Sequence, residues 1–502
     1  MNLLNDLRYA ARILLKARLA NLVCILTLAI GIGSNIAIFS LLNAVLLRPL
    51  PFPGSRRLIA VAQIDRREGH PTYTSMPDFL RYEKEADTFQ SLAAFDVTSF
   101  GLKSEDGPEI VEGSLVTRHF FSTLGITAAK GRTFSAEDAD GTLVISYPLW
   151  QSRFHGDPSV IGKQVFADGL PAAIIGVMPQ GFWFPESKCQ MWRLITAESI
   201  LVRANPDLHF LRVFGSLKAA GDLQQTIAQL NLINEQLMAI HPDLNSNLGI
   251  TASLLAEDLV KNVKSSLLIL MVAVAFVLII GCANVAHYQL SRVLHRSKEF
   301  SIRLALGASR ARVFAQLFME SLVLSVFGGI LGLLFAFAGI QLAIKLIPTA
   351  MPRASEVRLD LPVIAFTLAV CLLAGVLSAL IPCLQLLGSN FTRSLHEQGE
   401  RGTVGKRTRL LQHVLIVAEV ATAFALLVGV NLMMRSFLRH CAVDIGFNKD
   451  RLLTVTVQLP RTNYSNLSDL EIIRTRIYER ISAIPGVQAV SACSDLPLYI
   501  RA

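Results

Sequence analysis

Charge is scarce in this sequence. Asp, Glu, Lys and Arg make up 17% of the 502 residues, while 52% are hydrophobic. Soluble domains usually carry about 25% charged residues, and the mean hydropathy of +0.47 points the same way. Catalytic signatures are also missing. No G-x-x-x-x-G-K-[ST] phosphate cradle exists, because Gly162-Lys163 is followed by Gln164 and Gly405-Lys406 by Arg407. H-E-x-x-H and G-x-S-x-G are absent too, so metallopeptidase and serine-hydrolase chemistry have no residues to run on. The chain therefore reads as a non-enzyme that needs no cofactor of its own. Its cysteines are spread out: Cys24, Cys282, Cys371 and Cys383 lie in or beside apolar runs, and Cys189, Cys441 and Cys493 lie elsewhere with no C-x-x-C pair. Neither a disulfide framework nor a zinc site is legible in that spacing.

What the sequence has in abundance is long apolar runs. Five of them, 20–47, 267–290, 317–347, 361–387 and 411–434, reach the roughly 20 residues needed to cross a bilayer. Soluble core helices of such length would show a polar stripe, so spanning is the better reading. Orientation follows from Lys and Arg. Before the first run, Arg8, Arg12, Lys16 and Arg18 outweigh Asp6 by three charges. Between the second and third, Arg292, Arg296, Lys298, Arg303, Arg310 and Arg312 outweigh Glu299 by five. Between the fourth and fifth, Arg393, Arg401, Lys406, Arg407 and Arg409 outweigh Glu397 and Glu400 by three. These three segments hold +11 of a chain whose net charge is +9, which leaves −2 for everything else. The basic excess is thus a topology signal and not a nucleic-acid footprint. It puts the N-terminus and segments 291–314 and 388–410 in the cytoplasm, with 48–263, 348–360 and 435–502 outside, in a multi-pass plasma (inner) membrane protein. The first run is about twice the length of a signal-peptide core and lacks a small-x-small cleavage site, so it is read as uncleaved. Ahead of it, residues 1–19 form an expected interfacial amphipathic helix, with Arg8, Arg12 and Lys16 on one side and Leu7, Ala11 and Leu14 on another.

The outer segment 48–263 reads as α+β. Arg57 to Ile64 alternates like a strand, and Asp78 to Gln90 reads as a helix after Pro77. Tyr147 to His155 reads as a helix placing Trp150 and Phe154 on one face, stopped by Gly156. Asp157-Pro158 offers a cap and a first helical position. Asp168-Gly169, between Lys163–Phe166 and Ala172–Val177, is a two-residue hairpin signal. Phe182, Trp183 and Phe184 are expected to plug the domain core, in preference to lining a ligand loop. Ile227, Leu230, Ile233 and Leu237 mark a core-facing helix over Leu223 to Ala239.

Small residues recur at four-residue steps in two runs: Ala29, Gly33 and Ala37 in the first, Gly328, Gly332 and Ala336 in the third. Such stripes let helices approach closely within lipid, as a bundle or dimer seam, although membrane helices are rich in Gly and Ala in any case. Glu419 lies inside the fifth run, where a carboxylate is costly; a structural or dimer-contact role is preferred to a proton relay, with snorkelling toward headgroups as the rival. Between the second and third runs, Lys298 to Leu306 reads as a short helix that Gly307 terminates, after which Ser309 caps a helix entering the third run with Glu320 near its membrane entry. The result is an apolar and basic knob, which by composition alone equally suits anchoring on anionic lipid.

The stretch KEFSIRLALGASRARVFAQLFMESLVLSVFGGILG resembles the coupling segment of MacB/FtsX-type ABC transporter permeases. VTRHFFSTLGITAAKGRTFS, LVISYPLWQSRFHGDPSVIGK and IIGVMPQGFWFP resemble that family's outer domain, and NDLRYAARILLK with LTLAIGIGSNIAIFSLLNAVLLRPLPFP its N-terminal entry. Within the family the chain is most similar to the duplicated orphan permeases first named from acidobacteria. His287 departs from the pattern, standing where relatives place an apolar or amide residue. The resemblance implies a polytopic α-helical membrane protein with a large α+β periplasmic core domain. It implies a separate ABC ATPase docking on Glu299, Ile302, Arg303, Leu306, Gly307, Ala308, Ser309 and Arg310, and mechanotransmission that moves amphiphilic substrates. The alternative it implies is a non-transporting regulator or scaffold of FtsX type acting on an envelope partner. Membrane lipid and a homo- or pseudo-dimer through a second half are further expected partners. That second half is visible as a repeat: RLLTVTVQL, Arg451 to Leu459, echoes RLIAVAQI, and Asp469 to Ile484 echoes Asp78 to Gln90. Because the repeat stops at Ala502, 435–502 is expected to be an incomplete second outer domain.

Overall fold

A computed structural model describes residues 18–67, 69–104, 107–218, 223–240, 248–296, 299, 302, 309–346, 360–388, 406–442, 452–455, 457 and 467–493. The chain divides into two compact units, 1–48 with 260–443 and 49–259 with 444–502.

The first unit is helical. Its long helices run Arg18–Leu42, Lys261–His295, Arg310–Leu346, Leu361–Gly388 and Lys406–Cys441. Five stretches are long and apolar enough to cross a membrane: Leu19–Leu47, Val263–Val293, Ala311–Leu342, Leu361–Cys383 and Ile416–Arg439. They are called spans one to five below. Span one is the centre of the packing. Leu28, Ile32 and Ile36 are fully buried against Leu278, Cys282 and Val285 of span two, Leu324 of span three, and Val363, Val370 and Ala374 of span four. Two contacts, one polar and one aromatic, fix this bundle. Asn35 donates from Nδ2 across to the Val274 carbonyl at 2.8 Å, and the rings of Phe39 and Phe366 stack with centroids 3.9 Å apart. Span five packs against span two and keeps the rest of its surface open.

The second unit holds a mixed sheet whose main path runs Leu248–Leu254, Leu58–Asp65, His209–Leu217, Phe89–Ser104, Gly107–Val116, Met191–Leu194, Leu143–Ile145, Leu170–Val177 and Lys130–Gly131. Strand alternation sends side chains to two separate cores. Ile59, Val61, Leu92, Ala94, Leu211 and Val213 face helices Met76–Glu85 and Leu223–Ile240, whose Phe79, Tyr82, Leu230, Ile233 and Leu237 cover that side. Their odd-even partners Leu58, Ala93, Phe95 and Phe214 face the other way, into an aromatic cluster with Phe120, Phe121, Phe184 and Trp192. Phe184 is fully buried there, edge-on to Phe95 and Phe214, so the 182–184 triplet is core packing. A third cluster, with Leu143, Ile145, Trp150, Phe154 and Ile174, fills the far end of the sheet.

Local details depart from the sequence reading in two places. The helix after Pro77 is Met76–Glu85, capped by Ser75 Oγ accepting from the Asp78 amide. It ends early because Phe89 begins a sixteen-residue strand that pairs with both His209–Leu217 and Gly107–Val116; long-range pairing overrides the helical spacing. The helix Tyr147–Phe154 ends at His155, which itself takes the left-handed conformation (φ 52°), with Gly156 following at φ 70°. The hairpin is as its two turn residues require: Asp168 and Gly169 both have positive φ, and Ala167 pairs with Leu170.

Candidate functional site

The candidate site is the end of the helical unit where spans two and three meet. The helix carrying span two closes at His295, and the helix carrying span three opens at Arg310. Between them Glu299 and Ile302 are helical, while Arg303, Leu306, Gly307 and Ala308 lie outside the described residues. Ser309 is exposed and stands just before the second helix, its carbonyl accepting from the Arg312 amide at 3.0 Å. Ile302 is 58% exposed.

Glu320, 6% exposed at its side chain, sits roughly two and a half turns inside span three. A carboxylate at that depth is tolerated only when donors surround it. Three supply them. Arg296 Nη1 approaches Glu320 Oε1 at 3.5 Å, Arg292 Nη1 approaches Oε2 at 3.9 Å, and Gln316 donates from Nε2 at 3.3 Å. Arg296 also forks onto Glu299, with Nε at 3.0 Å and Nη2 at 3.4 Å from its two oxygens. The spacing explains the arrangement: Arg292 and Arg296 are one helical turn apart and present both guanidiniums to the same neighbour. An apolar plug of Val293, Val313 and Leu317 seals the two helices beside these pairs. On the span-one side the Arg292 guanidinium lies 5.5 Å from the centre of the Tyr288 ring, and Tyr288 donates its hydroxyl to Asn21 Oδ1 at 3.0 Å. Polar contacts thus run from span one through spans two and three to Glu299. The amide of Gln289, which lines the same cleft as Arg292, Arg296 and Glu320, is buried without a hydrogen-bond partner among the described residues.

The small-residue stripes of spans one and three face each other. A Cβ on Gly33 would fall 2.7 Å from the Gly332 carbonyl oxygen, and one on Gly332 would fall 2.9 Å from the Gly33 nitrogen and 3.0 Å from the Ala29 oxygen. Gly328 meets Leu28 in the same way, while Ala29 and Ala336 are buried and Ala37 is partly buried. Glu419 of span five meets His287 of span two, with Nδ1 to Oε1 at 3.5 Å. The sequence reading singled out both residues without joining them, and it missed Asn21, Asn35, Tyr288 and the Arg292–Glu320 contact. The available signal was a polar side chain inside or beside an apolar run, which in lipid generally seeks a cross-helix partner.

Two family models match the chain. The MacB-like periplasmic core domain matches residues 22–231 and the FtsX-like permease C-terminal model matches residues 271–391. Among curated proteins, a macrolide export ATP-binding/permease protein MacB from Chromobacterium violaceum is 29% identical over 53% of this chain and 40% of its own length. A MacB protein from Azoarcus is 26% identical over 66% of this chain and 51% of its own length. A pyoverdine export ATP-binding/permease protein PvdT from Pseudomonas syringae is 25% identical, over 53% and 39% respectively. The chain therefore spans about half or less of the length of these relatives. Among solved structures, the periplasmic region of MacB from Actinobacillus actinomycetemcomitans matches over 42% of this chain and 94% of its own length at 13% identity, with a TM-score of 0.32. The extracellular domain of YknZ, a noncanonic ABC-type transporter, covers 39% at 17% identity with a TM-score of 0.30. Apolar helices, an α/β outer domain and both family matches in this order describe a multi-pass inner-membrane protein, and the chain belongs to the MacB/FtsX-type ABC transporter permeases.

Proposed function

We propose that this chain is the permease subunit of an ABC-type transporter whose ATP is hydrolysed by a separate subunit docked on residues 291–314. Those residues and the N-terminus face the cytoplasm, and segment 48–263 lies outside. Closure of the ATPase displaces the coupling segment, the spans carry the displacement, and the outer domain moves an amphiphilic substrate captured outside the membrane. The observation that supports this reading best is the attachment of the segment between spans two and three: Glu299 is forked to Arg296, and Arg296 reaches the buried Glu320. A force applied to the coupling segment is therefore delivered, through the Glu299–Arg296–Glu320 contacts, to both helices. The names of the relatives, which refer to macrolide and pyoverdine export, fit a role in export.

The test is reconstitution with a co-purified ATPase. Leu306→Asp with Gly307→Asp should leave the spans folded and uncouple ATP turnover from substrate release. Unchanged coupling counts against the proposal. ATPase capture without release would favour an FtsX-type regulator of an envelope partner, and absence of any ATPase a scaffold. A cysteine placed at Ser309 should resist membrane-impermeant reagents added to intact cells; labelling from outside would invert the topology.

A further inference from the structure

We infer that Glu320 is a positioning residue, which holds the coupling segment to spans two and three through Arg296, and that Glu299 belongs to this tie and is not a contact for the docked partner. The inference rests on reading residues 291–314 as the coupling segment.

Three observations carry it. Glu320 is nearly sealed from solvent, so its charge is compensated by Arg292, Arg296 and Gln316 and by no water-facing route. Arg296 is shared: one guanidinium holds Glu320 of span three and both oxygens of Glu299. The Glu299 carboxylate is thereby directed back onto span two, while Ile302, one turn further on, presents its side chain outward. Residues of the same short segment thus have two jobs. Ile302 is available to a partner, and Glu299 fixes where Ile302 stands. Removing the Glu320 charge takes away the carboxylate of span three that Arg296 and Arg292 both approach, so the segment loses this anchor to span three.

Hydrogen–deuterium exchange on the full chain in lipid nanodiscs tests this without any partner. The peptide covering 291–302 is followed in the wild type, Glu320→Gln, Glu320→Asp, Glu299→Gln and the double variant Glu299→Gln/Glu320→Gln. Glu320→Gln should speed exchange in that peptide by about tenfold, as loss of a charged, buried hydrogen-bond network does. Glu320→Asp, which keeps the charge, should restore most of the protection. The double variant should exchange no faster than Glu320→Gln, because both substitutions break one tie. Protection unchanged in Glu320→Gln, no recovery with Asp, or multiplicative effects in the double variant would overturn the inference. Ile302→Asp should leave exchange of this peptide unchanged and abolish ATPase capture. If capture fails in the wild type while the exchange pattern holds, the proposed function falls and the tie stands.

Discussion

His287 Nδ1 lies 3.5 Å from Glu419 Oε1, joining spans two and five at a point where span five has little else to hold it. Both side chains are largely covered, at 22% and 18% exposure. Each alone would be a polar group facing lipid; the two meet by close approach without a hydrogen bond, and the pairing sets the rotation of span five against span two. Glu419→Leu or His287→Leu should release span five, and the double leucine variant should hold it better than either single one, because no polar group is then left unpaired. The difference is about 0.6 to 2 kcal/mol, the usual range for polar contacts between membrane helices. Trypsin cleavage in the arginine-rich segment 388–410, followed by co-purification in mild detergent, checks it. Equal retention of the C-terminal fragment in all variants would remove the role assigned to this pair.

The crossing of spans one and three depends on backbone contact at Gly33 and Gly332. Gly33→Ala or Gly332→Ala places a methyl group against main-chain atoms that have no rotamer to give, and should cost about 1 to 3 kcal/mol as overpacking. Gly339→Ala, where a Cβ meets nothing within 4 Å, should be neutral. Thermal denaturation of the full chain in detergent distinguishes the two sites, and equal melting of all three variants would disprove close approach at this crossing.

How much of this was legible in the sequence depends on the range of the interaction. The spans were readable because each apolar run satisfies its own backbone as a helix. Turn chemistry was readable for the same local reason at Asp168-Gly169. Phe89 to Ser104 was not, because its Ser, Thr and Gly residues blur the alternation and its partners lie both next to it and more than a hundred residues away. At the candidate site, Glu299 and Glu320 were each visible as charges near the membrane, but Arg296, which joins them, was counted only as part of a basic excess. Charge counting predicts orientation; it carries no information about which carboxylate a given guanidinium will meet.

Tyr82 anchors a buried polar network in the outer domain. Its hydroxyl accepts from Gln63 Nε2 at 3.0 Å and donates to Asn234 Oδ1 at 3.2 Å, and Asn234 in turn donates to the Leu248 carbonyl. Burial holds the phenol proton well past its ordinary range, so the donor survives at alkaline pH. Tyr82→Phe keeps the ring, takes the hydroxyl donor from Asn234 Oδ1 and leaves Gln63 Nε2 with its longer 3.3 Å bond to Asp78 Oδ2, and should destabilise the domain by about 1 to 3 kcal/mol. Urea unfolding followed by tryptophan fluorescence measures it, and a midpoint within error of wild type would contradict the network.

Asp138 gives the clearest pH dependence. Its carboxylate accepts two 2.6 Å hydrogen bonds from Arg132 and one from the Ser135 amide, and these hold its pKa down to about 2 against an ordinary 3.8. Because the folded value is the lower one, the stabilisation is complete above the unfolded pKa and disappears as pH falls from about 4 through about 2. Arg132 is half exposed, so the contribution is screened and amounts to roughly 1 kcal/mol. Asp138→Asn should lower stability at pH 7 by that amount and approach the wild type near pH 2. Parallel stability curves for the two proteins across this window would show that the Arg132 contact contributes nothing.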